Sequence, residues 1–107
     1  LEAFVRIGHG IVVFPGGVGT AEEILYLLGI LLREENAHVP FPFILTGPAS
    51  AAPYFEQIDR FIRLTLGDEA ASRYEIIVAD PPKVAKRMAH GIRKVREFRI
   101  AQKDSFF

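Results

Sequence analysis

The sequence predicts a three-layer α/β fold built on a parallel sheet, and three observations predict it. Short β-branched runs alternate with longer helical patterns along the chain, the order that builds right-handed βαβ crossovers. Each run is almost wholly apolar rather than alternating, as in a strand covered on both faces. No internal repeat or linker interrupts the 107 residues, a length that fits one domain.

The opening residues 1–7 (LEAFVRI) read as a short helix leading into the first strand, residues 11–14 (IVVF). A helix over residues 21–34 follows, then a strand at 43–46 (FILT), a helix over 53–66, a strand at 75–78 (EIIV) and a helix from 81 into the nineties. Boundary chemistry agrees with this order. Gly67 can close the second long helix in a left-handed conformation, and Asp80 before Pro81 reads as an N-cap followed by proline at the first helical position. The last helix, basic over about 81–103, carries Val84, Met88, Ile92 and Val95 as one apolar stripe. Three parallel strands leave two open edges and little area to bury against. Residues 1–107 are therefore expected to be the C-terminal portion of a single domain, three βα units with more strands upstream, and the missing initiator methionine fits a fragment.

Composition excludes several classes. Half of the residues are hydrophobic and 24% charged, which rules out a disordered or low-complexity chain. The longest strongly apolar stretch, residues 24–32, has nine residues, against roughly 20 for a bilayer-spanning helix. The opening lacks the basic region and long apolar core of a signal peptide. Without cysteine there are no disulfides, thiolate metal sites or cysteine nucleophiles, and a reducing, cytoplasmic location is the default. The 13 basic and 13 acidic residues cancel, but unevenly: residues 1–80 hold five basic and eleven acidic side chains, residues 81–107 eight and two. A solvated or subunit-facing basic helix and a nucleotide or nucleic-acid contact both fit that tail, and the apolar stripe favours the former over nucleic acid.

The most informative stretch is residues 14–23 (FPGGVGTAEE), between a buried strand and a strongly helical segment. Gly16, Gly17 and Gly19 let a backbone approach a ligand with no Cβ in the way, and Thr20 opens the helix. The free N–H groups of a helix's first turn, with the positive end of its dipole, form an anion site. A phosphate there accepts charge-assisted hydrogen bonds worth about 1.5–3 kcal/mol each. A P-loop is excluded because no lysine precedes Thr20, and a dinucleotide fingerprint because Glu22 stands where its third glycine belongs. Two plainer readings stay open. The loop also fits a tight βα turn with no ligand, and Thr20 with Glu23 fits a capping box, S/T-x-x-E. Glu22 and Glu23 point about 100° apart on a helix, so only Glu23 looks back over the loop.

Residues 15–23 match the PGGxGTxxE signature, and on it the chain resembles the Lonely Guy type phosphoribohydrolases, long mislabelled lysine decarboxylases. With residues 1–32, the FILTGP segment and the helix after Tyr54 and Phe55, it is most similar to the nucleotide 5′-monophosphate nucleosidase branch of that superfamily. The resemblance covers nearly the whole chain. It implies a Rossmann-like nucleotide-binding fold, no cofactor, and hydrolysis of the N-glycosidic bond of a nucleoside monophosphate to free base and ribose 5-phosphate. It implies that Gly16, Gly17, Gly19 and Thr20 hold the 5′-phosphate and that Glu23 is catalytic at the ribose. It also implies a homo-oligomer and allows regulation by an alarmone nucleotide. In that superfamily an arginine works with the glutamate, at a spacing that here falls just ahead of Leu1; Arg6 is not at that spacing. The chain alone is accordingly expected not to turn over.

Cleavage of a ribosyl C–N bond passes through an oxocarbenium-like sugar, which a carboxylate such as Glu23 stabilises. The phosphate contacts fix the sugar against it. His9, His38 and His90 are scattered without ligand spacing, so no metal is expected. Thr46, Gly47 and Asp80 fall at strand carboxyl ends. With strands about 4.8 Å apart, Thr46 lies one step from the loop, as a strand terminus or a group supporting the site. Asp80 lies two steps away, as an N-cap. Tyr54 and Phe55 read as core rather than stacking platforms, and Phe106 and Phe107 read as an aromatic tail that docks similarly to the first long helix. Apolar residues surround the first long helix, which predicts burial on every side, against another subunit or an upstream region. A non-catalytic nucleotide sensor or carrier on the same fold is the rival to an enzyme; a pyridoxal-phosphate decarboxylase is disfavoured, because Lys83, Lys86, Lys94 and Lys103 all cluster in the last helix.

Overall fold

The three apolar runs pair side by side. In the computed structural model, which describes residues 4–7, 10–16, 18–36 and 39–104, strands β1 (Phe4–Ile7), β2 (Gly10–Val13), β3 (Phe43–Gly47) and β4 (Glu75–Val78) form one sheet in sequence order. β2, β3 and β4 are parallel, with Val12 opposite Ile44 and Leu45 opposite Ile76. Helices α1 (Val18–Leu31), α2 (Ala52–Leu66), the short α3 (Asp68–Ala71) and α4 (Pro81–Asp104) complete the chain.

Side chains alternate across the strands and so divide the core in two. Ile11, Val13, Phe43 and Leu45 pack with Ile24, Leu27 and Leu28 of α1 and with Phe55 and Ile62 of α2. Val12, Ile44 and Ile77 face the other way and meet Met88, Val84 and Ile92 of α4. Helices thus cover both faces of the parallel sheet, a Rossmann-like three-layer arrangement. Pro42 seals its amino-terminal end: a Cβ on Gly91 of α4 would come within 2.5 Å of the Pro42 Cβ, so the helix reaches that ring only as glycine.

Three expectations change. Of the expected opening helix, the described part, Phe4–Ile7, is instead a strand, antiparallel to β2 with Ile7 opposite Gly10. An isolated helix shorter than about 12 residues is marginal, whereas Phe, Val and Ile favour strand and the edge of β2 offers a row of unpaired backbone groups. Second, the surface of α1 left for another subunit or an upstream region is one strip rather than the whole circumference: Ile24, Leu27, Leu28 and Leu31 are buried within the chain, while Glu22, Tyr26 and Gly29, continued by Arg33 beyond the helix end, face outward, with Tyr26 64% exposed. Third, Gly67 ends α2 with φ 92° and ψ 169°, a positive φ but outside the left-handed helical region, and α3 begins at the next residue. The N-cap expectation holds: Asp80 Oδ1 accepts a hydrogen bond from the Lys83 N–H at 3.1 Å, with Pro81 opening α4. Phe55 is fully buried, with Tyr54 edge-on to it at a centroid distance of 5.4 Å. His9, His38, Phe106 and Phe107 lie outside the described residues.

Candidate functional site

The loop from β2 to α1 leaves the carboxyl end of the sheet, where open α/β folds bind ligands. β2 ends at Val13, Phe14 and Gly16 are exposed, and α1 begins at Val18. The helix therefore starts before Thr20, which occupies its third position rather than its N-cap. A capping box needs threonine at the cap itself, so the plainer role for Glu23 lapses. Gly17, which precedes Val18, lies outside the described residues.

Gly19 sits in the first turn of α1 with an exposed backbone, and a Cβ built there meets nothing within 4 Å. Neither a positive φ nor a close neighbour requires glycine at this position, although glycine weakens a helix by about 1 kcal/mol relative to alanine. The space above the first turn is open. Thr20 differs from its neighbours, being 7% exposed, and Glu23, one turn further on, is half-buried beside the exposed Glu22. Gly16, Gly19, Thr20 and Glu23 are thus brought to one helix end, with two bare backbone positions leading to a sheltered hydroxyl and a carboxylate.

Thr46 is 7% exposed, next to the last residue of β3, and with Phe14 at the start of the loop it lines an apolar cleft of about 660 Å³ on the α4 side, together with Val12, Asp80, Val84 and Met88. Asp80 also edges that cleft while capping α4. Sequence reasoning missed how the loop is seated. The Pro15 ring lies against Gly47, the last residue of β3, and the Gly47 carbonyl accepts the Ala79 N–H at 2.8 Å. Ala79 has φ 57°, a left-handed conformation that alanine adopts at a cost of about 1–2 kcal/mol. Glycine at a strand's carboxyl end, facing a proline that follows a neighbouring strand, was the available signal.

On α4, Lys83, Lys86, Arg87 and His90 are exposed and line one shallow surface pocket, with Arg87 3.4 Å from Glu75. Among the described residues, no three His, Cys, Asp or Glu side chains gather as a metal site, and no helix is long and apolar enough to cross a membrane.

The fold defines a Rossmann-like α/β protein whose glycine loop opens a helix at the carboxyl end of a parallel strand. Over residues 1–88 the chain matches the family model described as possible lysine decarboxylase, and it belongs to that family. It is similar to the pyrimidine/purine nucleotide 5′-monophosphate nucleosidases of Escherichia coli K12, O6:H1 and O157:H7, each 51% identical to it over 106 residues. The match takes in 99% of this chain and 23% of each relative, so the chain spans about a quarter of the length of the curated relatives it matches.

Proposed function

We propose that this chain contributes the phosphate-binding and carboxylate half of a nucleoside 5′-monophosphate nucleosidase site. Water adds to C1′ of the ribose, the C1′–N bond breaks, and the base leaves with a proton, giving free base and ribose 5-phosphate. Gly16, Gly17 and Gly19 present backbone N–H groups to the 5′-phosphate, Thr20 adds its hydroxyl, and Glu23 stabilises the positive charge that develops on the sugar. The observation that carries this is the empty space over Gly19, a helical glycine that nothing among the described residues requires. Kinship with the named nucleosidases supplies the substrate class.

The family description points to decarboxylation instead, which uses a lysine Schiff base with pyridoxal phosphate. The residues do not fit that group: Lys83, Lys86 and Lys94 are all exposed on α4, across the sheet from α1. We read the protein as a cytoplasmic homo-oligomer, with the strip around Tyr26 as a subunit contact and an alarmone nucleotide as a candidate regulator.

The test is a product assay on the complete protein. It should release base and ribose 5-phosphate from nucleoside monophosphates, and Glu23→Gln should abolish release while leaving ribose 5-phosphate binding nearly intact. Binding without base release from any nucleoside monophosphate would instead make the protein a nucleotide sensor or carrier.

A further inference from the structure

We infer that Gly47 is a positioning residue for the anion-binding loop and that it acts through Pro15. This rests on the function proposed above, which gives the loop its ligand. A Cβ on Gly47 would lie 2.8 Å from Pro15 Cδ, 3.1 Å from Pro15 Cγ and 3.0 Å from Ala51 Cβ. Neither neighbour is the far end of a flexible side chain. The proline ring is fused to its own backbone, and Ala51 is buried at the entrance to α2.

Conformation does not explain the glycine, since Gly47 has no positive φ. Close approach alone requires it. Of the two sides of the contact, Gly47 is the anchored one: it pairs with Val78 in the sheet, and its carbonyl holds the Ala79 N–H. Pro15 is half-buried and is followed by the exposed Gly16. A methyl group at position 47 therefore displaces the loop rather than the strand. The amides that follow Pro15 move with it, and hydrogen bonds to a phosphate weaken steeply with misalignment.

The experiment is a double-mutant cycle in the complete protein, read by ribose 5-phosphate affinity and by KM and kcat for a nucleoside monophosphate. Gly47→Ala should weaken ribose 5-phosphate binding and raise KM by roughly tenfold, with a smaller change in kcat, as expected when positioning is lost. Pro15→Ala removes the ring atoms that the new methyl meets. In that background Gly47→Ala should have little further effect, the remaining contact on Ala51 lying on the α2 side.

An unchanged affinity in folded Gly47→Ala overturns the inference, and so does the same loss in both backgrounds. If Gly47→Ala fails to fold, Pro15→Ala alone decides: it should weaken ribose 5-phosphate binding several-fold with the fold retained, and an unchanged affinity overturns the inference. Should the wild type cleave no nucleoside monophosphate yet show this coupling in ribose 5-phosphate binding, the nucleosidase function fails and the role of Gly47 stands.

Discussion

Tyr74 donates its hydroxyl hydrogen bond to Asp59 Oδ1 at 2.6 Å, tying the residue that leads into β4 to the middle of α2. Arg63 completes the cluster, with Nε 2.9 Å from Asp59 Oδ2 and Nη1 3.0 Å from Asp68 Oδ1. Burial pushes the Asp59 carboxyl up, but hydrogen bonds from Tyr74 and Arg63, with the guanidinium charge, outweigh it and hold the group below its usual range. Burial, reinforced by the Asp59 acceptor, raises the Tyr74 phenol well above its ordinary value. Tyr74 stands at the amino end of β4, whereas the glycine loop leaves the carboxyl end of β2. The perturbed groups thus belong to the scaffold.

Tyr74→Phe should lower stability by about 1 kcal/mol and leave ribose 5-phosphate affinity unchanged. The pH dependence has two limbs. The depressed Asp59 gives stability that is present above the unfolded value, 3.8, and lost as pH falls below it. The raised Tyr74 gives stability that is present below the unfolded value, 10.0, and lost as pH rises beyond it. Denaturation midpoints across this range should therefore fall at both ends, and Tyr74→Phe should flatten the alkaline limb. A variant as stable as the wild type at neutral pH, with the same alkaline limb, contradicts this account.

Arg73 joins α1 to the segment before β3. Its Nη1 donates to the Leu31 carbonyl at 2.9 Å and its Nη2 to the Val39 carbonyl at 3.1 Å, both partly buried. Arg73→Ala leaves two carbonyls short of a donor and should cost about 2–4 kcal/mol. Arg73→Lys, with a single ammonium in place of the fork, should recover part of that. Urea unfolding measures both, and a lysine variant no better than alanine would mean that the geometry of the fork is what counts.

Gly91→Ala sets two effects against each other. Alanine gains about 1 kcal/mol of helix propensity in the interior of α4, but its Cβ would meet Pro42 Cβ at 2.5 Å and Pro42 Cγ at 2.7 Å. Overpacking of this kind costs about 1–3 kcal/mol, so the clash should win and the melting temperature should drop. Phosphate binding should not change, because the contact lies at the far end of the sheet from the loop. A stabilised variant would show that α4 and Pro42 stand further apart than 2.5 Å allows.

The three parallel strands and the glycine loop were legible because their signals are local, whereas β1, expected as a helix, was not. Continuous apolar runs mark buried parallel strands, and glycines before a helical pattern mark a turn at a strand end. The ends of α1 were not. It starts earlier than its helical pattern because Val18 and Gly19, poor helix formers, are helical nonetheless. It stops at Leu31 although Leu32, Arg33 and Glu34 continue the pattern, because remote groups take its last carbonyls: Asn36 Nδ2 donates to Ile30 O at 2.8 Å and Arg73 to Leu31 O. The seating of Pro15 on Gly47 joins a loop residue that follows β2 to the last residue of β3, which no local pattern carries.

Gly19 and Gly29 offer a paired test of the anion site. Both lie in α1, and a Cβ at either meets nothing within 4 Å. By propensity alone, Gly29→Ala should raise stability by about 0.5–1 kcal/mol, and Gly19→Ala should raise it by no more than that. Function should separate them. Gly29 is on the outward strip of α1 beside Tyr26, so its methyl group should leave ribose 5-phosphate affinity alone. At Gly19 the methyl enters the space above the first turn, and affinity should fall by tenfold or more, roughly one lost charge-assisted hydrogen bond. Calorimetry with ribose 5-phosphate on the complete protein reads both, with thermal melts alongside. If Gly19→Ala is more stable and binds ribose 5-phosphate as the wild type does, the phosphate does not sit over this turn, and the roles given to Gly16, Thr20 and Glu23 fall with it.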